Sequence, residues 1–172
     1  GIANSKTMGK TATNARLKMM EVMIIPSVLY NAKVYPVYTK EELSLLEKLQ
    51  GKLLRELLEV PKTTPYFPLL FETGTLTVEA KLHYKKLMLY HHIINSDNDR
   101  IIKKIILNQM EELRPGTWYY GVRKLMMYYE LTDKPEETVK SKWKKMVKMK
   151  IREFIENKIR QHCGSKGRTV LK

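Results

Sequence analysis

Apolar residues recur at helical spacing along almost the whole chain, and the breaks between them carry turn and cap residues. The first helical segment runs from about Ala12 to Ala32. From Met19 on its apolar positions nearly encircle the axis, which predicts a buried helix. Pro26 removes a backbone donor inside it and predicts a kink. Val34, Tyr35, Pro36, Val37 and Tyr38 follow as an extended connector, because Pro36 disfavours helix at Tyr35. Thr39 with Glu42 reads as a capping box. It opens a helix whose Leu46, Leu49, Leu53, Leu57 and Val60 form one apolar stripe. Gly51 within that helix costs about 1 kcal/mol relative to Ala, so a close helix approach is expected there. Pro61 ends the element.

Further along, Thr64 and Pro65 read as N-cap and first residue of a short helix closing at Gly74. Thr77 caps a helix to about Asn95, and residues 96–99 (Ser-Asp-Asn-Asp) make a turn. The next helix covers about Arg100 to Leu113 and is broken by Arg114-Pro115-Gly116. Another spans about Thr117 to Leu131. The last starts with Asp133 as cap and Pro135 near its first position, and runs to about His162. That is about 28 residues, or about 42 Å. No segment reads as a strand, and no solenoid period is present. The expectation is an all-α fold: an irregular helical bundle of about six to seven helices with a long basic C-terminal helix.

Composition changes the picture through charge. The 172 residues suffice for one large or two small domains, and 43% hydrophobic content suffices for a core. A formal charge of +14 points to an anionic partner, most often nucleic acid. The charge is uneven. Residues 1–38 hold 5 basic and 1 acidic groups, residues 39–133 hold 14 and 13, and residues 134–172 hold 13 and 4. A near-neutral packed body with basic ends follows. The reading divides the chain into a basic connector (1–12), a helical body (13–131), the long basic helix (132–163) and a flexible basic tail (164–172). The single cysteine, Cys163, excludes an internal disulfide framework and favours a reducing, intracellular compartment. The longest apolar stretch, Met19 to Tyr30, is too short for a membrane span. The chain opens on Gly1 without a leader pattern, and a fragment of a longer protein is expected.

Catalytic constellations are not evident in the sequence. Its three aspartates are Asp97, Asp99 and Asp133. The first two suit a capping turn, and alone they lack the ligands a divalent ion needs. His91 and His92 point to different sides of one helix, and His162-Cys163 has no second pair to complete a zinc site. No cofactor or metal is expected in this chain. The strongest binding signal is the last helix. Val139, Trp143, Val147, Ile151, Phe154 and Ile155 form its apolar face, while Lys140, Lys144, Lys148 and Arg152 recur at four-residue spacing as a ridge beside it. Lys142, Lys145 and Lys150 add charge. Few carboxylates interleave with them, whereas a merely solvated face mixes both signs. Arg16 and Lys18, with Lys6 and Lys10, form a second basic patch. The candidate nucleic-acid contacts are Lys140, Lys144, Lys145, Lys148, Arg152, Arg16 and Lys18. Trp118, Tyr119, Tyr120, Tyr128 and Tyr129 could stack on bases, but at helical spacing such residues more often pack. The ten methionines read as core filler.

One stretch carries a family resemblance. Pro26 to Tyr35 follows a "P-x-L-L-Y-G-A-E-x-W" pattern. Leu46, Glu47 and Gln50 with Leu54 and Arg55 follow "L-E-x-x-Q-x-x-x-L-R". Leu58, Val60, Pro61, Thr64 and Pro65 follow "L-G-x-P-x-x-T-P". In that order and spacing the chain resembles the region downstream of the palm in non-LTR (LINE-like) retrotransposon reverse transcriptases. The likeness covers residues 15 to about 95 and continues more loosely through the basic helix. Asn31 and Glu59 stand where the pattern has glycine, Lys33 where it has an acid, and Tyr35 where it has tryptophan. The resemblance implies a thumb and post-thumb linker that grips a template–primer, an RNA–DNA hybrid or a DNA or RNA duplex, through its backbone. It implies an upstream palm whose carboxylates hold Mg, RNA-directed DNA polymerase activity in the parent alone, and a nuclear setting for that parent. Two other readings fit the composition: a stand-alone helical nucleic-acid-binding module, or a helical protein–protein adaptor.

Overall fold

The computed structural model describes residues 12–35, 38–131 and 134–166, with the backbone alone for residues 159 and 161–166. Asp133 and the connector residues Pro36 and Val37 lie outside them, as do residues 1–11 and most of the tail. Among the described residues the fold is all-α, with no strand. They form two compact units. One comprises residues up to Ala32 together with Thr39–Glu79; the other comprises Lys33–Tyr38 and the chain from Ala80 on.

Among its described residues the first unit holds three helices. α1 covers residues 12–28, and within it Met20–Ile24 is wound as a π-helix. The cause lies at Pro26, which has no N–H and whose ring crowds the carbonyl one turn back. The turn widens, and the Ile25 N–H bonds the Met20 carbonyl five residues earlier. This resets the buried register. Five residues now make about one turn, so Met20 and Ile25 fall on one line, and Leu29 continues it at α-spacing. These three are buried, while Met19, Val22 and Met23 are each more than half exposed. The all-round burial expected from the apolar pattern is therefore corrected to a single stripe.

α2 spans Lys40–Leu58 and opens on the expected capping box. The Thr39 hydroxyl accepts from the Glu42 N–H, and the Glu42 carboxylate accepts from the Thr39 N–H at 2.9 Å. Its inward face differs from the expected leucine stripe. Gln50, Gly51 and Leu54 are buried, Leu53 and Leu57 are half-buried, and Leu49 is 41% exposed. The reason is polar. Gln50 donates from Nε2 to the Leu76 carbonyl (3.0 Å) and accepts the Tyr66 hydroxyl at Oε1 (2.7 Å), so an amide with a partner at each polar atom occupies the core. Gly51 sits under the Tyr66 ring, as the expected close approach requires. A Cβ there would lie 3.1 Å from Tyr66 Cδ2 and 3.1 Å from Arg55 Nη1.

A Schellman-type stop ends α2. The Val60 N–H bonds the Arg55 carbonyl, and Glu59 takes the left-handed conformation at φ 55°. α3 spans Tyr66–Thr73, with Pro65 rather than Thr64 at the cap, and closes on left-handed Gly74.

The second unit contains most of α4 (Val78–Ile94), then α5 (Ile101–Glu112), α6 (Trp118–Tyr128) and α7 (Lys140–Lys166). Leu113 and Glu130 adopt left-handed conformations after α5 and α6. Its core centres on Leu87, Tyr90, Val122, Trp143, Val147 and Ile151, each no more than 1% exposed. Trp143 donates from Nε1 to the Leu87 carbonyl. The segment 33–35 is tied into this unit by two donors: Trp118 Nε1 to the Lys33 carbonyl (3.0 Å) and Lys86 Nζ to the Tyr35 carbonyl (3.2 Å).

Candidate nucleic-acid interface

α7 is where the basic residues concentrate, and the segment before it is anchored to the end of α4. Pro135 opens a separate 3-10 turn, Pro135–Glu137, and the α-helix begins only at Lys140. The expected start near Pro135 is thus displaced by about a turn. Asn95 Nδ2 donates to the Pro135 carbonyl at 3.0 Å, and His91 Nε2 lies 2.8 Å from the Thr138 carbonyl. His91 on α4 and Asn95 just past its end thus anchor this pre-helical segment, in which Thr138 is extended at φ −109° and ψ 128°. Val139, expected on the apolar face, precedes the helix and is exposed. The remainder of that face behaves as the spacing requires: Trp143, Val147, Ile151 and Ile155 are buried, and Phe154 is half-buried against Tyr128 and Tyr129.

Burial of that stripe turns the ridge outward. Lys140, Lys144, Lys145, Lys148 and Arg152 are all exposed. Among the described residues none of these five has an ion-pair partner, whereas Lys150 lies 4.0 Å from Glu130 and 3.9 Å from Glu153. Lys140, Lys144, Lys148 and Arg152 rise about 6 Å per four-residue step, a row about 18 Å long. Lys148 Nζ stands over the Tyr84 ring, 5.8 Å from its centre. Tyr84 on α4 therefore borders the ridge, a neighbour that the sequence does not reveal, since no periodicity in one helix marks which residue of another lies beneath it. Burial raises the Tyr84 hydroxyl pKa above its ordinary value.

The same helix carries two further lysines with altered basicity. Desolvation lowers Lys86 to about 8. Desolvation, and then the Lys33 charge, lower Lys85. In the first unit, Arg16 pairs with Glu59 at 3.4 Å, both side chains being mostly exposed, and Lys18 is exposed. The aromatic clusters pack: Tyr119 lies 5.7 Å from Tyr90 and Tyr128 lies 4.5 Å from Phe154, centre to centre.

At the head of α7 lies a polar cavity of about 430 Å³, lined by residues that include His92, Asn95, Asp97, Arg100, Thr138 and Lys140. Asp97 and Asp99 sit in the expected turn before α5. Among the described residues no three His, Cys, Asp or Glu side chains gather as a metal site would require. No helix among them is long and apolar enough to cross a membrane.

No protein-family model, curated protein or solved structure matches this chain.

Proposed function

We propose that this chain is a nucleic-acid-holding element, the thumb and post-thumb part of a LINE-like reverse transcriptase, which grips a template–primer or target duplex by phosphate contacts. The observation that carries this reading is the ridge Lys140, Lys144, Lys148 and Arg152: exposed, evenly spaced, and without carboxylate partners among the described residues. An unpaired cation row on a rigid helix suits a polyanion with regular charge spacing. Such contacts position the duplex without reading its sequence.

A second observation supports the family resemblance. The pattern carries glycine at the position of Glu59, and Glu59 is left-handed at φ 55°. Glycine is the residue that conformation favours. The departure at Glu59 therefore replaces a residue type without changing the turn that the pattern implies. In this reading, nucleotidyl transfer and its Mg ions belong to an upstream palm, and no step of the holding role runs through a metal.

A salt titration tests the proposal. Binding of a DNA duplex or RNA–DNA hybrid should weaken as salt rises, with a log–log slope of about −0.9 per phosphate contact on duplex DNA. Replacing one ridge residue by Gln should flatten the slope by about 1 and weaken all sequences alike. A quadruple Gln variant with an unchanged slope would remove the ridge from the interface. No duplex affinity at low salt would favour the adaptor reading, and preference for a single strand would favour a stand-alone binding module.

A further inference from the structure

The cavity at the head of α7 is built before any ligand arrives. His91 is 4% exposed, its Nε2 is held at the Thr138 carbonyl, and its ring stacks on Trp143 at 5.8 Å and 24°. Asn95 Nδ2 joins two walls, donating to the His91 carbonyl (2.9 Å) and to the Pro135 carbonyl (3.0 Å). Arg100 and Lys140 enter from different elements, the cap of α5 and the first residue of α7. Neither has a side-chain partner among the described residues, and the lining carboxylate Asp97 pairs with neither. His92 completes the rim. The first α-helical bond of α7 is from Trp143 to Val139, which leaves the amides of Lys140 and Ser141 without an intrahelical acceptor.

We propose that this cavity is a binding site for a phosphomonoester; resting on the holding role above, its source is the terminal phosphate of a strand lying along the ridge. Two cations against one carboxylate give the lining side chains a net positive charge. Attraction to that charge grows with ligand charge, so a phosphomonoester, with about −1.5 to −2 at pH 7, is preferred over the singly charged diester of a strand interior. Arg100 supplies a planar fork for two phosphate oxygens, and Lys140 supplies a point charge shared with the ridge. The walls fixed by His91 and Asn95 limit the ordering cost of binding to the Arg100 and Lys140 side chains. About 430 Å³ also leaves room for the sugar that bears the phosphate.

Two measurements test the site. In fluorescence anisotropy, a duplex with 5′-phosphates should bind about tenfold tighter than the same duplex with 5′-hydroxyls, the worth of one charge-assisted contact. Arg100→Gln should bring that ratio close to one while leaving the hydroxyl duplex within about twofold of wild type. Asp97→Asn should widen the ratio. Separately, inorganic phosphate should shift the ring resonances of His92, assigned with a His92→Gln variant, and leave those of His83 in place, against sodium chloride of equal ionic strength. A His92 shift without duplex binding would keep the pocket and sink the ridge. A His92 shift with equal duplex affinities would keep the site and make free phosphate its source. Equal duplex affinities with an unmoved His92 would overturn the proposal, as would a 5′-phosphate preference that survives Arg100→Gln.

Discussion

His83 illustrates what a single residue contributes in this fold. Its Nδ1 lies 2.8 Å from the Tyr129 hydroxyl, and its ring meets Tyr128 and Tyr129 edge-on. Desolvation, then the charges of Lys86 and Lys158, push its pKa down to about 4 from an ordinary 6.5. Between those values the unfolded chain binds the proton that the folded chain refuses, so stability falls as pH drops from about 6.5 and the loss is complete below about 4. The full effect is up to about 3 kcal/mol, at about 1.36 kcal/mol per unit. Urea midpoints measured from pH 7 to pH 4 should therefore fall more steeply for wild type than for His83→Gln, and parallel curves would show that His83 is not held neutral. At the same scale, Leu54→Ala should cost about 2–5 kcal/mol, because Leu54 is fully buried. Leu49→Ala should cost under about 1 kcal/mol, since Leu49 is substantially exposed. Equal losses in the two variants would restore the leucine stripe that periodicity alone suggests. The buried face is offset from that stripe by about one residue because Gln50 holds a core position, and no hydropathy pattern predicts a buried glutamine with Nε2 and Oε1 both bonded.

Helices themselves were legible wherever caps and breakers spoke locally. The Thr39–Glu42 box, the Thr117 cap, the Gly74 stop and the break at residues 114–116 all occur where their chemistry places them. What failed was register: Pro26 marked a distortion of α1 but not a π turn that re-registers its buried stripe, Pro65 rather than Thr64 caps α3, and α7 starts late, after a segment held by His91 and Asn95. Gly51 lies between these cases, because its presence marked a close approach but not the partner. Replacing it by Ala should gain about 1 kcal/mol of helix propensity. The crowding should outweigh that gain. Tyr66 cannot retreat easily, since its hydroxyl is bonded to Gln50, and Arg55 Nε is bonded to the Thr64 carbonyl at 2.9 Å. Overpacking of this kind costs about 1–3 kcal/mol, so Gly51→Ala should lower the denaturation midpoint. In a Tyr66→Phe background, where the ring has lost its tether, the same substitution should cost less. A stabilised Gly51→Ala single variant would mean that the Tyr66 contact yields freely.

For the whole molecule, charge works against compactness. The chain carries +14. The ion pairs on Glu59, Asp99, Glu112, Glu137 and Glu130 lie at exposed side chains, half-buried Lys150 excepted, so each contributes little. Sequence showed this imbalance directly, whereas the cavity beside the ridge was hidden because it joins α4, the turn before α5 and α7, which are distant in the chain. Self-repulsion of like charges destabilises the folded state and is screened by salt within about 10 Å at 0.1 M. Sodium chloride raised from 50 to 200 mM should therefore move two measurements in opposite directions. The urea midpoint should rise, by the equivalent of about 1 kcal/mol, while duplex affinity falls steeply. The quadruple Gln variant at Lys140, Lys144, Lys148 and Arg152 separates the causes. With four positive charges fewer, it should be more stable than wild type at 50 mM salt and gain less from added salt, in the same titration where its binding slope flattens. Sodium sulfate at matched ionic strength would add stability through exclusion from the surface, so chloride is the diagnostic salt. A midpoint that falls with chloride, or a variant no more stable than wild type at 50 mM, would mean that the ridge cations do not repel one another at folding-relevant strength. The row would then be too weakly positive to act as the main grip on a duplex.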